Sequence, residues 1–138
     1  MIHVVPVYPD TNLVGAVRVG AQGLRRGKIL ILFPEGERSV DSEIKAFKKG
    51  AAILSLHVGA PIVPVALDGT HEVWPRARLP RLSRLLLFSD ARVRIRFGLP
   101  LEPSAGERRR DGDYASVTAR LRAAIAEMLE SLRGERSG

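Results

Sequence analysis

A carboxylate, a glycine, a guanidinium and a hydroxyl follow one another closely in Phe33-Pro34-Glu35-Gly36-Glu37-Arg38-Ser39. An arginine fork beside exposed backbone N–H groups suits a phosphate monoester. Glu35, Gly36, Arg38 and Ser39 are therefore candidate residues for an anionic head group. The bland alternative is a surface turn in which Glu35 caps and Arg38 is solvated. Lys48 and Lys49 precede Gly50 at the expected start of a helix. Cations there oppose the helix dipole unless something negative is bound or paired, or the lysines simply point to solvent.

Other chemistry is sparse. The histidines are His3, His57 and His71. His57 falls late in an apolar helix and reads as a packed core residue, whereas His71, beside Glu72 in a loop, is a candidate base. No cysteine is present, which excludes disulfides, thiolate catalysis and cysteine-based zinc sites and fits a reducing compartment. No metal site is expected. The spacing Gly23-x3-Gly27-Lys28 falls one residue short of a P-loop, and Ile29 replaces the metal-binding hydroxyl residue.

The net charge of +7 has one source. Residues 74–110 hold ten arginines against Asp90, Glu102 and Glu107. Within them Arg76, Arg78, Arg81 and Arg84 interleave with Leu79, Leu82, Leu85, Leu86, Leu87 and Phe88. Basic residues among apolar ones suit an anionic membrane surface, with a solvated rim over a core segment as the alternative. Nucleic acid is disfavoured, since aromatics make up only 5% and no reader motif is present.

The elements that must position these groups alternate between short apolar runs and helical periods. His3 to Tyr8, Lys28 to Phe33, Pro61 to Leu67 and Ala91 to Phe97 read as strands. Helices are expected from Asp10 or Thr11 to about Arg26, from Phe47 to Val58, and through Tyr114, Val117, Leu121, Ile125, Met128 and Leu132. Lys28–Phe33 is apolar on both faces and so central. This order implies an α/β fold, a mixed and mostly parallel sheet with helices on both faces. Residues 1–104 form the main body and residues 105–138 a linker and closing amphipathic helix. The 138 residues suffice for one domain, without an apolar run long enough to span a bilayer or a recognisable signal peptide.

With these blocks in view, the chain resembles the phospholipid/glycerol acyltransferases, especially the lysophosphatidic acid acyltransferases. Phe33-Pro34-Glu35-Gly36-Glu37-Arg38-Ser39 matches the family's F-P-E-G-x-R-S block. Phe47-Lys48-Lys49-Gly50-Ala51 and Ile62-Val63-Pro64-Val65-Ala66 match its F-K-K-G-A and I-V-P-V-A segments. The resemblance implies acyl transfer from acyl-CoA or acyl carrier protein to lysophosphatidate, at a membrane surface on the cytoplasmic side, with no resident cofactor. Glu35, Gly36 and Arg38 fall on its acceptor positions, and Val63, Pro64 and Val65 on the acyl-donor side. In that family an H-x4-D pair removes the acceptor's proton. Here Tyr8, Ile62 and Arg76 stand where the aspartate would follow His3, His57 and His71. An arginine often found near the strand around Val5-Pro6-Val7 is also missing. The expectation is a C-terminal part of an acyltransferase domain, an incomplete domain that is inactive by itself; a non-catalytic lipid- or phosphate-binding remnant is the alternative. The first strand and the Phe47–Val58 helix would then lack covering partners.

Overall fold

The computed structural model describes residues 13–36, 43–70, 92–104 and 113–135. In order these form α1 (Leu13–Arg25), α2 (Gly50–Val58), β1 (Val65–Asp68), β2 (Arg94–Phe97) and α3 (Tyr114–Gly134). The expected strand His3–Tyr8 lies outside the described residues.

Helix α1 ends where the sequence says it must. The Lys28 N–H donates to the Gly23 carbonyl and the Gly27 N–H to the Leu24 carbonyl, with Gly27 left-handed at φ 71°. That pair of bonds is a Schellman stop. Earlier in the helix, Gly20 is buried where a Cβ would come within 3.1 Å of Leu30 Cδ2 and 3.5 Å of Leu54. The missing side chain is what lets α1 lie close against α2 and the Leu30 side chain.

Helix α2 is the centre of the described fold. Its sequence, GAAILSLHV, is apolar nearly all round, as befits a helix with neighbours on more than one side. Ala52, Leu54, Ser55 and Leu56 are buried, and Ala52 and Leu56 join Val117 of α3 in the core, flanked by Ile62 and Tyr114. Ser55 Oγ donates to the Ala60 carbonyl at 2.6 Å, so the one buried hydroxyl of the helix is satisfied. The helix starts at Gly50 instead of Phe47, because the Lys48 N–H donates to the Pro34 carbonyl and holds residues 43–48 outside helical geometry.

Strands β1 and β2 pair antiparallel, with Val65 opposite Phe97 and Leu67 opposite Ile95. A further bridge joins Ile62 to Leu101. Between the bridge and the ladder two residues, Val63 and Pro64, face three, Gly98 to Pro100, which is a bulge beside a proline that has no N–H to give. This pair is the hydrogen-bonded sheet among the described residues. Lys28–Phe33, expected as a central strand of a mostly parallel sheet, makes no ladder within them.

Arg92–Phe97 alternates arginine with apolar residues, and the charged side is the more buried one. Ala66 and Asp68 lie under α3, and Arg96, opposite Ala66, bonds Ser131 Oγ and the Glu135 carboxylate at the end of that helix. The apolar side faces away: Ile95 is 56% exposed and Phe97 71% exposed. Ile29, Ile31 and Phe33 are likewise exposed. Of the two elements expected to lack covering partners, the first strand lies outside the described residues, and α2 is covered by α1 and α3.

Such a surface should bind apolar dyes and adhere to itself. Phe97→Ser should reduce dye binding while changing unfolding stability by less than about 0.5 kcal/mol, as expected at an exposed position. A loss above about 2 kcal/mol in denaturant unfolding would mean that Phe97 is covered.

Candidate functional site

The run Lys28–Phe33 delivers the chain into a tight turn. The Gly36 N–H donates to the Phe33 carbonyl at 3.0 Å, which closes Phe33-Pro34-Glu35-Gly36 as a β-turn with proline at its second position. Gly36 sits at φ 75°, where other residues are strained. Three further contacts fasten this turn to the segment that leads into α2. The Pro34 carbonyl accepts from the Lys48 N–H at 2.8 Å, and Glu35 Oε2 accepts from the Lys45 N–H at 3.0 Å. The Lys48 side chain lies across Gly36, its Nζ 2.8 Å from where a Cβ would stand.

The electrostatic outcome is a positive corner. Lys48 and Lys49 are both exposed, and Lys49 occupies the N-cap of α2 without a side-chain cap. The N-terminus of the helix and the Lys48 ammonium therefore lie next to the turn, with Lys49 adjoining, an arrangement that attracts a phosphate or carboxylate. Glu35 also has a part in the turn's own structure. One of its carboxylate oxygens is a structural acceptor that locks the loop, so the residue is half-buried as well as polar.

The structure brings together Glu35, Gly36 and Lys48, with Lys49 adjoining. Arg38, Ser39, His71, Arg76, Arg78, Arg81 and Arg84 lie outside the described residues. Val63, Pro64 and Val65 form a separate wall: Val63 is exposed, Val65 half-buried, and Pro64 fully buried with its carbonyl accepting from Gly98. His57, expected in the core, is exposed instead. Its Nε2 lies 2.9 Å from the Tyr114 hydroxyl, on the outer side of α2 where α3 begins. Two contributors escaped the sequence: the Lys45 backbone and Arg122, which donates to the Ile44 and Lys45 carbonyls. Nothing in a linear pattern marks a backbone group or a contact across 77 positions. No cluster of three or more His, Cys, Asp or Glu suited to a metal occurs among the described residues.

A family model described as Acyltransferase matches residues 2–68, the stretch that holds the turn, its lead-in and β1. The relatives agree. A 1-acyl-sn-glycerol-3-phosphate acyltransferase, BAT2, chloroplastic, of Brassica napus is 40% identical over 72 residues, 52% of this chain and 20% of that protein. Over residues 2–68 the chain is similar to this acyltransferase family. A 1-acyl-sn-glycerol-3-phosphate acyltransferase of Limnanthes alba is 53% identical over 45 residues, covering 33% of this chain and 16% of its own length. The crystal structure of the 1-acyl-sn-glycerophosphate (LPA) acyltransferase PlsC from Thermotoga maritima superposes with a TM-score of 0.69 at 24% identity, over 86% of this chain and 44% of that one. The acyltransferase fold of that structure is thus the fold of this chain. The chain spans about a fifth of the length of the first of these relatives.

Because Lys48 overlies Gly36 and φ is positive there, Gly36→Ala should cost about 1–3 kcal/mol in denaturant unfolding. Adding Lys48→Ala should return part of that loss, leaving the backbone strain. Strict additivity of the two changes would show that the lysine does not crowd this position.

Proposed function

We propose that this chain supplies the acceptor-binding wall for transfer of a fatty acyl group from acyl-CoA or acyl carrier protein to lysophosphatidate, 1-acyl-glycerol-3-phosphate, in phospholipid synthesis. The observation that carries this reading is the Pro34–Gly36 turn, seated against α2 with the Lys48 ammonium over Gly36, inside the stretch that matches the family. A phosphate monoester entering that corner meets Lys48, Lys49 and the uncapped N–H groups of α2, with Arg38 and Ser39 next in sequence. Glu35 fixes the turn through one oxygen and so holds Gly36 and the overlying Lys48 in place for the acceptor.

In the reaction the acceptor hydroxyl oxygen attacks the thioester carbonyl, its proton passes to a base, and the C–S bond breaks to release the thiol. No resident cofactor takes part, and Val63, Pro64 and Val65 line the donor side. Arg76, Arg78, Arg81 and Arg84 give the protein a basic, leucine-flanked patch for peripheral binding to an anionic membrane on the cytoplasmic side. Lys28–Phe33 serves as a strand of the larger, mostly parallel sheet, and its exposed Ile29, Ile31 and Phe33 are consistent with that place. No helix among the described residues is long and apolar enough to cross a membrane. The proton step is not assigned to His3, His57 or His71, none of which has an aspartate five positions on. Loss of a positioned base removes about 10²- to 10⁴-fold in rate. The 138-residue chain is accordingly a binder whose own acyl transfer is slowed by that factor.

Binding to phosphatidylcholine vesicles with and without lysophosphatidate tests this, with acyl transfer from a labelled acyl-CoA measured beside Thermotoga maritima PlsC. The expected result is preferential binding to lysophosphatidate vesicles that Lys48→Ala weakens, with transfer at least about 100-fold below the PlsC control. Equal binding to lysophosphatidate and lysophosphatidylcholine vesicles would overturn the acceptor reading.

A further inference from the structure

The Ile44–Lys45 peptide group is held from both sides. Its N–H donates to Glu35 Oε2 at 3.0 Å. Its carbonyl, on Ile44, accepts from Arg122 Nη2 at 3.2 Å, and Arg122 Nε donates to the next carbonyl, that of Lys45, at 3.4 Å. In a trans peptide the N–H and C=O point in opposite directions. Arg122 and Glu35 therefore grip a single peptide unit from opposite ends, one offering positive charge to its oxygen and the other negative charge to its hydrogen. Each contact polarises the peptide in the sense that strengthens the other.

We propose that Arg122, on α3, is a positioning residue for the acceptor turn. It orients the Ile44–Lys45 peptide so that its N–H meets Glu35, and Glu35 in turn fixes Pro34–Gly36 beneath Lys48. The proposal rests on the acceptor-site reading for its functional consequence, though its geometry is independent of that reading. The segment involved, residues 43–48, has no helix or strand of its own, so its peptide planes are set by such contacts. Arg122 is exposed, and its guanidinium can reach the two carbonyls together because its donors form a fixed fork. A lysine offers all its donors from a single nitrogen and lacks that spread. Helix α3 thereby does more than cover the core with Val117 and Leu121: one turn of it also reads the loop that carries the site.

The test is a double-mutant cycle on the 138-residue protein, with two readouts. One is the Kd for lysophosphatidate in phosphatidylcholine vesicles; the other is the Lys45 amide proton, followed by NMR shift and hydrogen exchange. Arg122→Ala should raise the Kd about five- to tenfold and speed Lys45 exchange, in line with loss of charge-assisted bonds. Arg122→Lys should recover part of both. In a Glu35→Ala background, Arg122→Ala should change the Kd by less than about twofold, because the link it acts through is already cut. An undiminished effect in that background would make Arg122 a purely structural contact and overturn the proposal, as would an unchanged Kd with an unchanged Lys45 amide. If the wild-type protein shows no preference for lysophosphatidate, the acceptor reading falls. The Lys45 amide then decides alone: faster exchange in Arg122→Ala upholds the positioning role and unaltered exchange refutes it.

Discussion

Everything at the candidate site depends on how one loop is fastened to one turn. The Lys45 and Lys48 N–H groups, three residues apart, donate to the Glu35 carboxylate and the Pro34 carbonyl. These two bonds place the turn against the foot of α2 and draw the Lys48 side chain over Gly36. A buried or half-buried polar group left without a partner costs about 1–3 kcal/mol, so each bond is far easier to keep than to lose. Glycine is required at position 36 for two reasons that coincide, the left-handed backbone and the lysine lying where a side chain would begin.

The rest of the described fold serves that arrangement. Helix α2 is apolar on nearly every side, so it stays put only because α1 and Leu30 close one flank and α3 another. With the helix fixed, its uncapped N-terminus points to a constant place, next to two lysines. The β1–β2 pair anchors α3 from below through Arg96, which ties to Ser131 and Glu135 near the helix end. The remaining apolar side of that pair, with Val65, Leu67, Ile95 and Phe97, contributes nothing to this framework. Its exposure distinguishes it from the packed side beneath α3.

Much of this was legible in the residues. Gly27, Gly59 and the 3.6-residue period of Tyr114–Leu132 marked helix ends and faces, because each reports a local backbone need. The Phe33–Ser39 block stands out as candidate chemistry because carboxylate, glycine and arginine are crowded after an apolar run. What stayed hidden was anything set by distant packing. The start of α2 moved to Gly50 because Pro34, far back in the chain, takes the Lys48 N–H. The inward face of β2 is set by distant packing too, since Arg96 finds two acceptors on α3. His57 was placed in the core on hydropathy alone, whereas the Tyr114 hydroxyl gives it an outer partner. The Arg122 contact has no local signature at all.

The central claim is that the corner formed by the Pro34–Gly36 turn and the α2 N-terminus receives a lipid phosphate. Its most direct measurement is a backbone amide NMR titration of the 138-residue protein with lysophosphatidate in detergent micelles, against lysophosphatidylcholine as control. The expected result is that lysophosphatidate alone moves Gly36, Lys48, Lys49 and Gly50 most, in a saturable and salt-sensitive way. Shifts confined to the apolar side of β1 and β2, with those four amides unmoved, would contradict it.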